Sequence, residues 1–352
     1  MPDSESGAGR RSATMRDVAT MAGVGIATVS RVVNGKPGVT ADLAEKVTRA
    51  AELLGYRHDL TASSLRRADR RTHTLGLILE DAANPFSAAL HRAVEDTAAE
   101  RGVLVLAGST DEDPVRERGL VRTFTGRRVD GLIVVPTGLT DTDLDAARAG
   151  GTPVVCVDRP ATARQVDTVT VDNRAGVRAA VKRLYGAGHR HIAFLGDLPA
   201  IWTAEERYAG FVEGLAETGC VLHAASVRRG VHGVEAAQEA TRELLTLPQP
   251  PTALVSAQNL VTVGARKALQ ELRLQHAVAL IGFDDLPFAD LLDPGISVIA
   301  QDPVAIGRQA AALLFDRLDG EPGPARHRVL STHYLARGSG ELPGPHRRVT
   351  RL

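Results

Sequence analysis

The sequence predicts a small α-helical helix-turn-helix domain followed by a large α/β core of two doubly wound subdomains. Apolar residues recur at helical spacing between Val18 and Leu54, which is typical of short packed helices. From Thr74 onward, short apolar runs such as TLGLIL, GLIVVP and ALIGF alternate with helical stretches, as in parallel sheets covered on both faces. The chain has 352 residues and too many such runs for one sheet, so we expect two α/β units.

The segment AGVGIATVSRVVNG, residues 22–35, resembles a glycine-rich phosphate loop at first sight. Such a loop follows a β-strand, but the preceding TMRDVATM predicts a helix that Thr14 and Asp17 begin with a capping box. Thr28 also stands where the dinucleotide pattern requires its third glycine. The order helix, tight turn at Gly23, helix therefore predicts a helix-turn-helix.

The second predicted helix has one buried and one exposed face. The apolar positions that pack it against the first helix are Val18, Ala22, Val29, Val32 and Val33. The opposite face carries Ile26, Ala27, Ser30, Arg31 and Asn34. A third helix is predicted after GKPGV, with Thr40 as its cap and Gly55 at its end.

Charge and composition separate the ends of the chain from its middle. Residues 1–71 hold 12 Lys and Arg against 8 Asp and Glu, a net charge of +4 that suits contact with phosphates. Residues 1–13 and 341–352 contain little to bury, and we expect a disordered arm and a disordered tail. Two cysteines and no apolar N-terminal stretch favour a reduced, cytoplasmic protein without a membrane partner.

Polar residues follow several of the predicted strands. In parallel sheets, ligands bind beyond the carboxyl ends of the strands. The residues that the sequence places there are Asp81, Asp158, Arg159, Gln258 and Asp284. A strand-end carboxylate can instead cap the next helix, and that alternative stays open for Asp81 and Asp285.

Many segments together resemble the lactose-repressor (LacI) family of bacterial transcription regulators. They include MRDVATMAGVGIATVSRVVNG, LGLILEDAANPF, RRVDGLIVVP, ERYAGF, VALIGFDDLPF and LARGSG, and the resemblance spans Thr14 to Gly340. It implies a headpiece at 14–59, a hinge-helix linker at 60–72 and an effector-binding and dimerisation core at 73–340. That core would be periplasmic-binding-protein-like, with an N-subdomain at about 73–169 plus 302–331 and a C-subdomain at about 170–301 plus 332–340.

The resemblance also implies roles for individual residues. Asp158, Arg207, Gln258 and Asp284 fall where relatives contact an effector, and Phe86 falls where it would stack on the effector. Trp202 precedes ERYAGF and is a candidate for the pocket wall, with a core position as the alternative. Gln258 and Asn259 depart from the family's usual Asn-Asp pair.

DNA contacts are expected from the headpiece and the linker. The residues concerned are Ile26, Ala27, Thr28, Ser30, Arg31, Asn34, Leu65 and Arg66. By the resemblance, Leu65 matches a leucine that wedges into the minor groove, whereas Ser63 replaces an arginine often seen there. An Arg-rich solvated linker is the alternative interpretation.

We therefore expect a homodimeric regulator that binds a palindromic operator and is released from it by a small, sugar-like effector. A corepressor-type regulator of the same family and a solute-binding receptor are the alternatives, and the headpiece argues against the receptor. We expect no enzymatic activity, no cofactor and no metal. His189 and His191 are expected to be structural, since they lack a third partner at ligand spacing.

Overall fold

The structure is a computed structural model that describes residues 13–33, 37–56, 71–137, 142–160 and 165–346. It divides into two compact units, Met1–Thr72 and His73–Leu352. The first unit holds the three predicted helices. They are α1 (Met15–Ala22), α2 (Ile26–Val33) and α3 (Ala41–Leu54).

The three helices enclose a small apolar core. Val18, Val29 and Val47, one from each helix, are fully buried in it. Both halves of the capping box between Thr14 and Asp17 are formed, so the predicted start of α1 is confirmed. Thr40 occupies the N-cap position of α3, but its side chain makes no capping hydrogen bond.

Gly23 and Gly55 end α1 and α3 in the left-handed conformation, with φ of 66° and 61°. Glycine adopts this conformation without steric cost, and the tight turn at Gly23 lets α2 begin three residues later. The helix-turn-helix prediction is confirmed.

The second unit contains twelve strands and eight helices among its described residues. The strands are β1 (Thr74–Leu79), β2 (Leu104–Ser109), β3 (Gly131–Val134), β4 (Val154–Val157), β5 (Asp167–Val171), β6 (Ile192–Leu195), β7 (Val227–Arg228), β8 (Ala253–Ser256), β9 (Ala279–Phe283), β10 (Ser297–Ala300), β11 (His327–Leu330) and β12 (His333–Leu335). The helices are α4 (Pro85–Ala99), α5 (Pro114–Gly126), α6 (Thr142–Ala149), α7 (Asn173–Gly186), α8 (Trp202–Thr218), α9 (Val234–Leu245), α10 (Asn259–Glu271) and α11 (Pro303–Leu318). A short 3-10 helix covers Ala224–Ser226.

The strands form two six-stranded sheets, in the orders β11-β5-β4-β3-β1-β2 and β12-β10-β9-β8-β6-β7. Every pairing is parallel except that of β10 with β12. We call the part around the first sheet the N-subdomain and the part around the second the C-subdomain. The predicted fold class is confirmed.

The chain passes between the two sheets three times, after β5, after β10 and after β11. β5 continues to Val171, slightly beyond the predicted limit of the N-subdomain at 169. Five strands were not predicted from the sequence, namely β5, β7, β10, β11 and β12. Their segments are short or carry polar residues, so they lack the continuous apolar run by which β1 and β9 were predicted.

The expectation of a disordered tail from Glu341 is wrong for residues 341–346. The Glu341 carboxylate accepts a hydrogen bond from Ser297 Oγ at 2.7 Å, and Leu342 packs against the apolar core of the C-subdomain. The backbone amide of Gly344 also donates to the Ala187 carbonyl at 2.9 Å. A few long-range contacts thus order a segment whose composition alone suggested disorder.

Candidate functional site

A cavity of about 290 Å³ lies between the two subdomains of the second unit. Its lining includes residues that follow β1, β2 and β4 in one sheet and β6 to β10 in the other. Both sheets therefore direct the carboxyl ends of their strands at the same space, where α/β proteins bind ligands. The helices α4, α8 and α10 also contribute residues of their first two turns.

Arg207 on α8 is buried in the C-subdomain wall of the cavity, and contacts within that subdomain fix its side chain. Its Nε donates to Asn173 Oδ1 at 2.7 Å, and its Nη1 donates to the Ala257 carbonyl at 2.8 Å. The guanidinium also stacks on the Phe283 ring, 3.7 Å from its centroid. These contacts fix a planar donor at the cavity wall before any ligand arrives.

Asp284, directly after β9, shares this wall. Its Oδ2 lies 3.9 Å from Arg207 Nη1, and its Oδ1 accepts a hydrogen bond from Gln301 Nε2 at 2.5 Å. Burial raises the pKa of Asp284, although Arg207 and Gln301 favour its charged form. Gln301 Oε1 is buried and has no hydrogen-bond partner among the described residues.

Asp158 and Arg159 follow β4 on the opposite wall. Arg159 makes a two-pronged ion pair with Glu112, at 2.5 and 2.7 Å, and donates to the Pro136 carbonyl at 3.1 Å. Asp158 meets the side of the same guanidinium, with its Oδ2 3.4 Å from Nε. Asp158 and Asp284 have φ of 64° and 70°, a left-handed conformation that non-glycine residues rarely adopt and that clusters at functional sites.

Glu80 follows β1 beside these residues. Burial, together with the negative charge of Asp158, raises its pKa to about 7, against a hydrogen bond from Ser87 Oγ at 2.7 Å. Its second carboxylate oxygen, Oε2, is buried and has no hydrogen-bond partner among the described residues. Sequence reasoning missed Glu80, although it directly follows a predicted strand as Asp81 does.

A pair of asparagines connects the two subdomains across the cavity. Asn259 Nδ2, at the start of α10, donates to Asn84 Oδ1 at 2.7 Å. Asn84 Oδ1 also accepts from the Phe86 amide at 3.0 Å, so the same side chain caps α4. Both asparagines are buried, and sequence reasoning assigned a role to neither. The Asn-Pro-Phe sequence at 84–86 signals the cap, but nothing local indicates the partner 175 residues away.

The other predicted ligand contacts separate into two groups. Asp81, Phe86 and Gln258 line the cavity together with Asp158, Arg159, Arg207 and Asp284. Two of them also bond to nearby backbone, although the helix cap that was the alternative for Asp81 is formed by Asn84 instead. Asp81 accepts from the Ala83 amide at 2.8 Å, and Gln258 caps α10 by accepting from the Val261 amide at 3.1 Å.

The prediction that Trp202 lines the pocket is wrong. Trp202 is the first residue of α8, and the cavity is instead lined by Ile201, Thr203, Ala204 and Arg207. Thr203 and Arg207 lie four residues apart and so share one face of the helix. Trp202 is rotated away from that face by about 100°.

Acidic groups dominate the lining of the cavity. Its carboxylates are Glu80, Asp81, Asp111, Glu112, Asp158, Asp197 and Asp284. The basic side chains among the lining residues are Arg159, Arg207 and His232. His232 Nδ1 lies 2.8 Å from Asp197 Oδ1 and is more than half exposed.

The two histidines considered as metal ligands have other partners. The ring nitrogens of His189 lie 2.9 Å from Thr252 Oγ1 and 3.0 Å from the Leu342 carbonyl. His191 Nε2 lies 2.6 Å from Ser226 Oγ. In the part of the chain that the structure describes, no group of side chains is arranged to hold a metal ion, and no helix is long and apolar enough to cross a membrane.

In the first unit, the predicted DNA-contacting face of α2 is accessible. Ile26, Ala27 and Arg31 are exposed, and Thr28 and Ser30 are partly exposed. α2 packs Val29 inward, so these residues project from its outer side. The predicted contacts at Asn34, Leu65 and Arg66 lie outside the described residues.

Comparisons with known proteins find relatives of both units of the structure. Residues 14–59 match the family described as bacterial regulatory proteins, lacI family, and residues 181–340 match the periplasmic binding protein-like domain. The HTH-type transcriptional repressor CytR of Escherichia coli (strain K12) is 30% identical over 330 residues, covering 93% of this chain and 96% of CytR. The chain belongs to the lacI family of bacterial regulatory proteins.

Other lacI-family proteins match over nearly their whole length. The transcriptional regulator CelR of Thermobifida fusca is 33% identical, with 94% of this chain and 99% of CelR covered. A crystal structure of the lac repressor dimer bound to operator and the anti-inducer ONPF has a TM-score of 0.81 and 25% identity, covering 94% and 99% of the two chains. A CelR–cellobiose complex has a TM-score of 0.69 and 31% identity, covering 93% and 99%.

Proposed function

We propose that this lacI-family regulator is a repressor that binds a palindromic operator as a homodimer and is released by a small, sugar-like effector. The cavity between the subdomains carries this proposal. Arg207, held from behind, and Asp284 offer fixed donors and acceptors on one wall, and Asp158 and Arg159 face them from the other. Carboxylates and planar guanidinium groups suit the closely spaced hydroxyls of a sugar, since each can form paired hydrogen bonds.

An effector in this cavity would connect the two subdomains. Ligand can change affinity for DNA only by as much as its own affinity differs between the DNA-binding and non-binding arrangements. A ligand that touches both walls binds the two arrangements with different affinity, because its contacts depend on the relative orientation of the subdomains. The complexes of relatives with cellobiose and with ONPF support a small-molecule ligand for this chain.

Operator contact is assigned to the first unit and the segment after it. Arg31 is proposed to read a guanine in the major groove, and Ile26 and Ala27 to offer apolar contact to thymine methyl groups. Leu65 and Arg66 are proposed to enter the minor groove and to contact phosphate, respectively, from a linker at 60–72. Operator binding by a homodimer implies that the protein works in the cytoplasm, where the chromosome is.

The proposal is tested with the full chain and a binding site selected from random DNA. Fluorescence anisotropy of labelled site DNA should show binding that falls when the effector is added. Arg207→Ala should keep operator affinity within threefold and lose the response, because charged hydrogen bonds are each worth about 1.5–3 kcal/mol. Arg174→Ala, an exposed arginine paired with Glu206 on α8, is the matched control.

The sign of the response separates the two regulator types. For an inducer, Arg207→Ala represses permanently in a reporter strain; for a corepressor, the same variant fails to repress. Arg207→Lys is included because loss of Arg207 leaves Asp284 uncompensated, and the lysine keeps a positive charge there. Failure of the full chain to enrich any DNA sequence would contradict the proposed function.

A further inference from the structure

Two asparagines from different subdomains meet at the starts of two helices. Asn84 is the N-cap of α4 in the N-subdomain, and Asn259 is the first residue of α10 in the C-subdomain. Asn259 Nδ2 donates to Asn84 Oδ1 at 2.7 Å, and Asn84 Nδ2 lies 3.5 Å from Asn259 Oδ1. Asn84 is 8% exposed and Asn259 is fully buried. The two side-chain amides therefore form a nearly reciprocal pair away from water.

Backbone amides fix the direction of both side chains. Asn84 Oδ1 also accepts from the Phe86 amide at 3.0 Å, and Asn259 Oδ1 accepts from the Leu260 amide at 2.7 Å. Because its oxygen is held by its own helix, Asn259 directs its amide nitrogen at Asn84. A 180° turn of the Asn259 amide would bring two oxygens together and lose the bond from Leu260. Each helix therefore orients its own asparagine, and the bond between them forms only when the subdomains meet.

The ion pairs of the cavity-lining residues each stay within one subdomain. Arg159 pairs with Glu112 inside the N-subdomain, and Arg207 pairs with Asp284 inside the C-subdomain. The remaining ion pairs of the lining follow the same rule. Separation of the two walls thus leaves these ion pairs intact and breaks the asparagine bond. A net protein hydrogen bond changes an equilibrium by roughly twofold to tenfold.

We propose that the hydrogen-bonded side-chain amides of Asn84 and Asn259 form a latch that favours the closed arrangement, in which the two walls of the cavity meet. The latch adjoins the cavity on both walls. Asn84 and Phe86 line it on one side, and Gln258, directly before Asn259, lines it on the other.

The latch also sets the affinity for an effector, a consequence that rests on the proposed function. An effector that contacts both walls binds the closed arrangement. Its apparent dissociation constant is its intrinsic value divided by the fraction of the chain in that arrangement. Loss of the latch lowers this fraction and weakens effector binding without removing any contact between protein and effector.

Aspartate substitutions test the latch without removing the helix caps. Asn84→Asp and Asn259→Asp each keep an oxygen for the backbone amide that the asparagine binds, and each leaves one amide nitrogen to bridge the two positions. The double variant has two carboxylates and no donor, so repulsion between like charges replaces the hydrogen bond. The single variants are the matched controls, because each carries one of the same two charges.

The distance between two spin labels on the ligand-free full chain reports the arrangement directly. The labels are attached to Arg92→Cys on α4 and Lys267→Cys on α10, both exposed positions. Cys220→Ser removes the partly exposed native thiol, and Cys156 is buried. Dilution with excess unlabelled chain separates distances within one chain from those between protomers. At pH 8, the wild type and both single variants should show one main distance, and the double variant a second, longer distance in at least a fifth of the molecules.

An unchanged single distance in the double variant overturns the latch, and so does an equally populated longer distance in either single variant. If the double variant does not fold, Asn259→Leu takes its place, because it removes the donor without adding charge. Its longer distance should then be populated at least threefold more than in the wild type, and equal populations overturn the latch.

Operator binding separates the latch from the proposed function. With a binding site selected from random DNA, the double variant should differ in operator affinity at least threefold from both single variants. If the distance changes and operator affinity does not, the latch stands, and the proposed coupling between subdomain arrangement and DNA binding fails. Failure of the full chain to bind any DNA counts against the proposed function, whereas the distances alone decide the latch.

Discussion

Replacing Glu80 by glutamine should stabilise the protein increasingly as the pH rises from about 4.5 to above 7. Burial and the negative charge of Asp158 raise the pKa of Glu80 from 4.5 to about 7, against the opposing effects of Ser87 and Arg159. The folded state therefore prefers the protonated carboxyl. As pH rises from about 4.5 through 7, folding must either keep that proton or bury the charge, and stability is lost across this window.

The size of the effect follows from this rise in pKa. A tenfold change in proton affinity corresponds to about 1.36 kcal/mol, so a rise in pKa from 4.5 to about 7 gives roughly 3 kcal/mol of lost stability above pH 7. Glutamine keeps an oxygen for the hydrogen bond from Ser87 and carries no charge. Glu80→Gln should therefore equal the wild type near pH 4.5 and exceed it by up to about 3 kcal/mol at pH 8. For a unit of this size, that is roughly 5–10 °C in melting temperature.

Thermal unfolding followed by circular dichroism at pH 5, 6, 7 and 8 gives the comparison. Glu100→Gln, an exposed carboxylate that directly follows α4, serves as the matched control. The difference in melting temperature between Glu80→Gln and the wild type should grow steadily with pH, and that of the control should not. A difference of the same size at all four pH values would refute the assignment of the effect to a buried, titrating carboxyl.

Three further changes test the DNA-binding surface and the contact between the subdomains. Arg31→Ala should relax base preference at one symmetric pair of operator positions by about 1–3 kcal/mol, and an unchanged consensus from site selection would contradict that role. Leu65→Ala should weaken operator binding and reduce DNA bending in a circular-permutation gel shift, with effector affinity retained; unaltered bending would exclude the wedge. Asn259→Ala removes the hydrogen bond to Asn84 and should cost about 1–3 kcal/mol in urea unfolding, since the buried Asn84 amide loses a partner. A loss no larger than that of the exposed variant Gln270→Ala on the same helix would mean that the contact contributes little.

The sequence by itself determined the local features of this protein. The capping box of Thr14 and Asp17, the left-handed glycines at 23 and 55 and the apolar stripe through Val29 act over three or four residues, so their pattern can be recognised along the chain. The apolar runs of β1, β3 and β9 were recognisable for the same reason. Because parallel strands present their carboxyl ends together, even the cavity-lining positions of Asp158 and Asp284 followed from the strand order.

Only the tertiary structure decided which distant groups meet and what charge each can hold. Asn84 and Asn259 are 175 residues apart, and nothing in either neighbourhood specifies the other. The orientation of α8 about its axis turns Ala204 and Arg207 toward the cavity and Trp202 away from it. Packing against the core of the C-subdomain orders Leu342, although the tail around it is polar in composition. The raised pKa of Glu80 likewise depends on burial and on Asp158 from another strand. Desolvation and long-range pairing arise from packing in three dimensions, so they cannot be predicted from the order of residues along the chain.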